Sequence, residues 1–600
     1  MRNIAGLNGV AIQDQPGLGR RRIVGRVIAW FARHEALLFA AMIVIQLVPI
    51  WAFTYLATTD GAAHVASADV MRRIGDPSLS AFRKYYFVSR DFDPNLIGHV
   101  VLAGLLYVVK PTVAEKVLVS LYVVVFPLAI RYAMRSVRTR RVVRDRLGGN
   151  ASHGLGGQEA VRSAMRDRQE RLPHRRIRPA RAPLAFLAFP LVYSYLYAQG
   201  FYNFCLSVAV FFVVVGYWVR YRERMTWGRW LGLAGLAMLL YTCHLFSLAL
   251  ACGVIGVLTV AWSVGEIRAG GGIRVAVRQA AVTAGAFVLP LALAVVFRPS
   301  TEGVKHTVEA WRPKEDLVNL LQFSDALVSY RNGEVWLSGA VASVILALVL
   351  LAAMRKVRRR DWRPWDALLL VPLGLLLVYF RSQDELARHF YIPHRVMFYL
   401  YLGLLLWLAG QPLARRVRWA VVPLAIVLGL GFTASHALKY REFAPQLGEF
   451  VSAGNQIKRN ATFLPLIFSP RGRTASGNVS SIDVAPFYMA SGYIAAERQA
   501  VDLRNYEGNT DHFPVRFRPE VNPYKFLAVG DGFNVVPPKI DIERFRRAGG
   551  EVDYVIVWGL EESFRSDPDT VALYRQLEAG YERVAVPGAR WTEVWKRKGM

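Results

Sequence analysis

The chain has 600 residues, 54% of them hydrophobic, arranged in repeated apolar runs of about twenty residues. That pattern excludes a soluble globular protein of this size and indicates a polytopic α-helical membrane protein. The formal charge of +30, from 74 Lys and Arg against 44 Asp and Glu, does not point to nucleic acid. The excess sits in short linkers between apolar runs, as in cytoplasmic loops, and membrane lipids with anionic headgroups are its natural counter-charge.

Residues 1–35 form a basic arm with Arg20, Arg21, Arg22, Arg26 and Arg33, expected on the cytoplasmic side ahead of a first helix near 36–57. The triplet Ala66-Ser67-Ala68 resembles a signal cleavage site, but the apolar run is long for a signal peptide and reads as an uncleaved anchor. The next segment, 58–113, is then a first outer loop. Within it, Leu96 to Val109 is short for a crossing and is expected to lie in the interface. If it crossed, the basic loop 134–182, within a stretch carrying fifteen Arg from Arg131 to Arg181, would fall outside, against the positive-inside rule. Ala114 to Tyr132 is read as the second crossing and the basic loop as a flexible cytoplasmic insertion.

Further spans are expected at 183–199, 201–219, 229–243, 245–264, 280–298, 335–354, 365–381, 395–410 and 419–437, about eleven in all, within a membrane domain of 36–437. An odd number places 438–600 outside. That portion has nearly balanced charge, short apolar runs (Phe463 to Phe468, Val552 to Trp558), a helical pattern at Thr570 to Leu577 and two strands across Pro587-Gly588. It reads as a compact extracytoplasmic α/β domain. Cys205, Cys243 and Cys252 all lie in apolar runs and build no disulfide framework.

The chemistry-bearing residues collect on the outer side. Asp60 and His64, four apart, share a face if the chain after Asp60 is helical, which suits a base and its orienting partner or a shared metal; Asp60 before Gly61 equally suits a helix cap. Asp91 and Asp93 bracket Phe92 before Pro94-Asn95 and offer oxygen ligands to a divalent ion such as Mg or Mn, or cap the helix that follows. Asp69 and Asp76 read as solvated loop residues. His244, Arg312, Arg388, His389 and Arg395 are cations or histidines at the same face and suit an anionic lipid phosphate. No Walker loop, dinucleotide glycine pattern, zincin motif or nucleophile elbow occurs.

An acidic residue just past the first helix (Asp60), a first loop with interfacial helices ending at Asp91-Phe92-Asp93-Pro94-Asn95, many later spans and a C-terminal outer domain together resemble the GT-C superfamily. These are integral-membrane glycosyltransferases that use polyprenyl-phosphate-linked sugars. Many members carry two adjacent acidic residues where this chain has Asp60-Gly61. The resemblance implies a bacterial inner-membrane enzyme moving a sugar from a polyprenyl-phosphate donor to a glycan, lipid or protein acceptor, with Asp60 as base. Two alternatives stay open at this point: a polymerase, ligase or flippase for lipid-linked glycans, and a non-enzymatic protein whose outer domain binds glycan. Nearly uncharged mid-span stretches favour chemistry at the interface over transport through the bilayer.

Overall fold

The computed structural model describes residues 16–89, 91–148, 182–270, 272–297, 312–382, 391–474 and 476–600. Among the described residues, eight helices are long and apolar enough to cross a membrane, nine if the pair Ile273–Gly285 and Val288–Val296, bent by 50°, counts as one span. The helix α1 (Pro16–Ala52) starts on a proline, whose fixed φ and missing N–H suit a first turn. Its apolar window is only 33% buried, whereas that of Tyr202–Arg224 is 83% buried, so α1 is peripheral and the second helix central.

The expected span 183–199 takes an unexpected form. Pro183–Leu191 winds as a 3₁₀ helix, followed by a single helical turn, Tyr195–Ala198, capped by the Ser194 hydroxyl. Pro190 supplies no N–H and its ring obstructs a regular α-helix. The segment runs beside α1. The amide of Ala182 donates to Glu35 at 3.3 Å, the Gln46 side chain donates to the Phe189 carbonyl at 3.3 Å, and the Asp60 amide donates to the Gln199 carbonyl at 3.0 Å. A 3₁₀ rise of about 2.0 Å per residue lets this short piece keep pace with the longer α-helical stretch. Every residue from 182 to 200 is buried, the condition under which non-α backbone is tolerated at membrane depth.

The loop after α1 carries α2 (Gly61–Arg73), α3 (Ser80–Tyr85), strand β1 (Tyr86–Val88) and α4 (Ile97–Leu105). At nine residues, α4 reaches about half the thickness of a bilayer core, in keeping with an interfacial helix. Helix α5 (Pro111–Gly148) follows and extends through the start of the basic segment.

The last long helix, Arg415–Ser452, runs without a break into the C-terminal region, and Glu449 near its end accepts the amides of Arg590 and Trp591 at 2.9 and 2.6 Å. Besides β1, the strands are β2 (Thr462–Ile467), β3 (Val501–Asp502), β4 (Val515–Phe517), β5 (Tyr554–Trp558), β6 (Tyr581–Val584) and β7 (Thr592–Arg597). Five of them form one mixed sheet in the order β3-β2-β5-β7-β6, with β2 parallel to both β3 and β5. Strands β6 and β7 are the antiparallel pair expected across Pro587-Gly588, Gly588 taking a φ of +74°. Alternation along β2 and β5 divides the core: Phe463, Ile467, Tyr554, Ile556 and Trp558 pack with the membrane helices, while Leu464, Leu466, Val555 and Val557 face a second cluster. That second cluster includes Val70, Phe82, Tyr85 and Tyr86. The first loop is therefore built into the C-terminal region, and β1 pairs antiparallel with β4, Tyr86 stacking on Phe517 at 4.7 Å.

Candidate functional site

The site forms where the first loop meets the turn Gln199-Gly200. Gly200 has a φ of +84°, and a Cβ there would lie 2.6 Å from the Gly61 amide nitrogen and 2.9 Å from that of Asp60. Only glycine fits both the backbone and the contact. Gly200→Ala should lower stability by about 1–3 kcal/mol, read from thermal unfolding of the purified protein.

Asp60 caps α2 by position only. Its carbonyl accepts the Ala63 and His64 amides, but its side chain makes no capping bond. The Tyr506 hydroxyl donates instead to Asp60 Oδ2 at 3.1 Å, and among the described residues no donor reaches Oδ1. Burial pushes the Asp60 carboxyl up to about 7, against the opposing pull of His64 and Tyr506.

One turn on, His64 Nε2 meets the Gly200 carbonyl at 2.9 Å; a carbonyl oxygen only accepts, so Nε2 carries a proton. His64 Nδ1 faces the Glu507 carboxylate in close contact. From α4, His99 repeats the arrangement, with Nδ1 3.3 Å from the Asn95 carbonyl and Nε2 3.0 Å from Glu507 Oε2. Asn203 secures this turn, donating to the Asn95 carbonyl at 2.7 Å and accepting the Gly98 amide at 2.7 Å. Burial disfavours charge on both His64 and Glu507, yet their mutual attraction, with His99 beside Glu507, outweighs it. His64 is raised and Glu507 is held well below the usual carboxylate range. His64, His99 and Glu507 are 4%, 1% and 0% exposed, so the cluster is closed to bulk water. Beneath it, Glu115 accepts the hydroxyls of Tyr202 at 2.7 Å and Tyr493 at 2.6 Å.

The Arg395 guanidinium lies 5.5 Å from the Phe201 ring and 5.4 Å from the Phe204 ring. Among the described residues no carboxylate or hydrogen-bond acceptor meets it, and its Nε is buried without a partner. His244 Nδ1 accepts the Phe246 amide at 3.1 Å, and its ring meets Phe204 edge-on at 5.3 Å. Burial, then the nearby Arg395 and His512, push the His244 imidazole well below its usual value, so it is neutral.

The other expected residues do not join this cluster. Asp93 pairs with Arg516 at 2.7 Å and Asp91 lies 3.8 Å from the same guanidinium, so the positive charge at that pair comes from Arg516. Arg312 is exposed and pairs with Glu315 at 3.4 Å, and Arg388 and His389 lie outside the described residues. Asp69 is buried and not solvated, because Arg72 and Arg73 from its own helix close on it at 2.6 and 3.0 Å. His99, Tyr506 and Glu507 were not foreseen from sequence. The one local signal was a histidine inside the apolar run of α4; Glu507 comes from a C-terminal turn, and nothing near it in sequence marks it.

No protein-family model matches the chain, and no curated protein matches it in sequence.

Proposed function

We propose that the protein is a membrane glycosyltransferase of GT-C type. In this reading it transfers a sugar from a polyprenyl-phosphate carrier to a hydroxyl of an extracytoplasmic glycan, lipid or protein. The observation that carries the reading is a pair of unlike groups that both approach the Gln199-Gly200-Phe201 turn: Asp60, whose Oδ1 meets no donor among the described residues, and Arg395, whose Nε has no partner among them and whose guanidinium lies 5.5 Å from the Phe201 ring. Glycosyl transfer from a phosphate requires a base for the acceptor and a cation for the leaving phosphate, and Asp60 and Arg395 supply one of each. Asp60 takes the proton of the acceptor hydroxyl. The acceptor oxygen bonds to the anomeric carbon as the bond from that carbon to the phosphate oxygen breaks, and the departing phosphate charge is taken up by Arg395.

Topology supports the same reading. If the bent pair, the helix Trp227–Cys243 and the 3₁₀ segment each cross along with the eight long helices, the crossings number the eleven expected from sequence. With the basic arm read as cytoplasmic by the positive-inside rule, this reading has Asp60 and the C-terminal α/β domain outside, facing the periplasm of a bacterial inner membrane.

A short-chain polyprenyl phosphate should raise the unfolding temperature of the purified protein, and Arg395→Ala should lose most of that shift while unfolding normally without lipid. An equal shift in the variant would remove Arg395 from phosphate binding.

A further inference from the structure

We propose that His64 Nδ1, His99 Nε2 and the Glu507 carboxylate form a binding site for a divalent transition metal of the zinc class, tying the first loop to the C-terminal region. Their ligand atoms all lie within 4.8 Å of one another. The decisive feature lies behind the rings. Each imidazole turns its other nitrogen to a backbone carbonyl, His64 to Gly200 at 2.9 Å and His99 to Asn95 at 3.3 Å. Those carbonyls hold a proton on the outward nitrogens, the outer hydrogen bond that orients metal-bound histidines and makes them better donors.

In neutral rings the inward nitrogens then present lone pairs, and they present them to a carboxylate that is itself only an acceptor. A metal ion among the three groups satisfies both inward nitrogens and the carboxylate at once, in place of the protons that otherwise bridge them. Two imidazoles and one carboxylate are a zinc donor set, whereas magnesium and calcium take oxygen ligands. The site is also distinct from Asp91 and Asp93, whose carboxylates meet Arg516.

The consequence is architectural. The ligands come from α2, from α4 and from the turn after β3, so an ion here fastens three pieces that are far apart in the chain, and it lies one helical turn from Asp60. The inference rests on this geometry and not on the transferase reading, and its test uses no sugar substrate.

Full-length protein purified in detergent, incubated with zinc and then desalted should retain about one zinc per chain by elemental analysis. Parallel incubation with magnesium should leave none. Glu507→Gln and His99→Gln should each reduce retained zinc at least tenfold. Cobalt substituted into wild type should show visible ligand-field bands that both variants lack. Chelation should lower the unfolding temperature of wild type, a readout that needs no variant to fold. The proposal is overturned if wild type retains no zinc, if magnesium is retained in its place, or if Glu507→Gln holds as much zinc as wild type.

Discussion

Purified Asp60→Asn protein should transfer sugar from a polyprenyl-phosphate donor about 10²–10⁴-fold more slowly than wild type, the range expected when a general base is lost. The substitution keeps the shape of the side chain and an oxygen to accept the Tyr506 hydroxyl, now 3.1 Å away. What it removes is the capacity to take a proton. Because burial disfavours the Asp60 carboxylate, a neutral amide in its place should not lower the unfolding temperature. Loss of turnover at unchanged stability is therefore the expected signature. Turnover equal to wild type would take Asp60 out of the reaction.

Glu507→Ala should have the largest effect on stability. It leaves His64 and His99 facing each other with no carboxylate between them, and removing one member of a fully buried charge cluster costs about 3–5 kcal/mol. Chemical denaturation followed by intrinsic fluorescence should report this, together with earlier proteolysis of the C-terminal region, since Glu507 joins that region to α2 and α4. The exposed pair Lys84–Glu551, 2.9 Å apart, is the internal control. Glu551→Ala should change stability by under about 1 kcal/mol, because an exposed pair is screened by water and salt. Equal effects at the two positions would contradict the role assigned to burial.

The membrane class, the short helix after Asn95 and the last strand pair were legible because each depends on a local pattern: apolar length, charge asymmetry, or a Pro-Gly turn between alternating residues. Asp60 was legible for the same reason, as an acidic residue at the end of the first apolar run. The segment 183–199 was expected as a spanning α-helix; it is buried but winds largely as a 3₁₀ helix, a difference that apolar content alone does not reveal. The partners of His64 were hidden by distance: 443 positions separate it from Glu507, and only the pairing of β1 with β4 and the packing of the first loop on the C-terminal sheet bring them together. Asp69 was misjudged because the segment was read as a loop, whereas it is a helix on which Arg72 and Arg73, three and four positions on, close over it. Asp91 and Asp93 looked like a metal pair because Arg516 is more than four hundred residues away.

Wild-type protein and Asp60→Asn should be placed in vesicles with polyprenyl-phosphate hexoses and pentoses carrying a radiolabel in the sugar, together with envelope extract as acceptor. For one donor, wild type should transfer label from the organic phase to the acceptor and leave free polyprenyl phosphate, while Asp60→Asn should leave the label on the lipid. Label remaining on every donor with wild type, or equal transfer by both proteins, would contradict the glycosyltransferase reading.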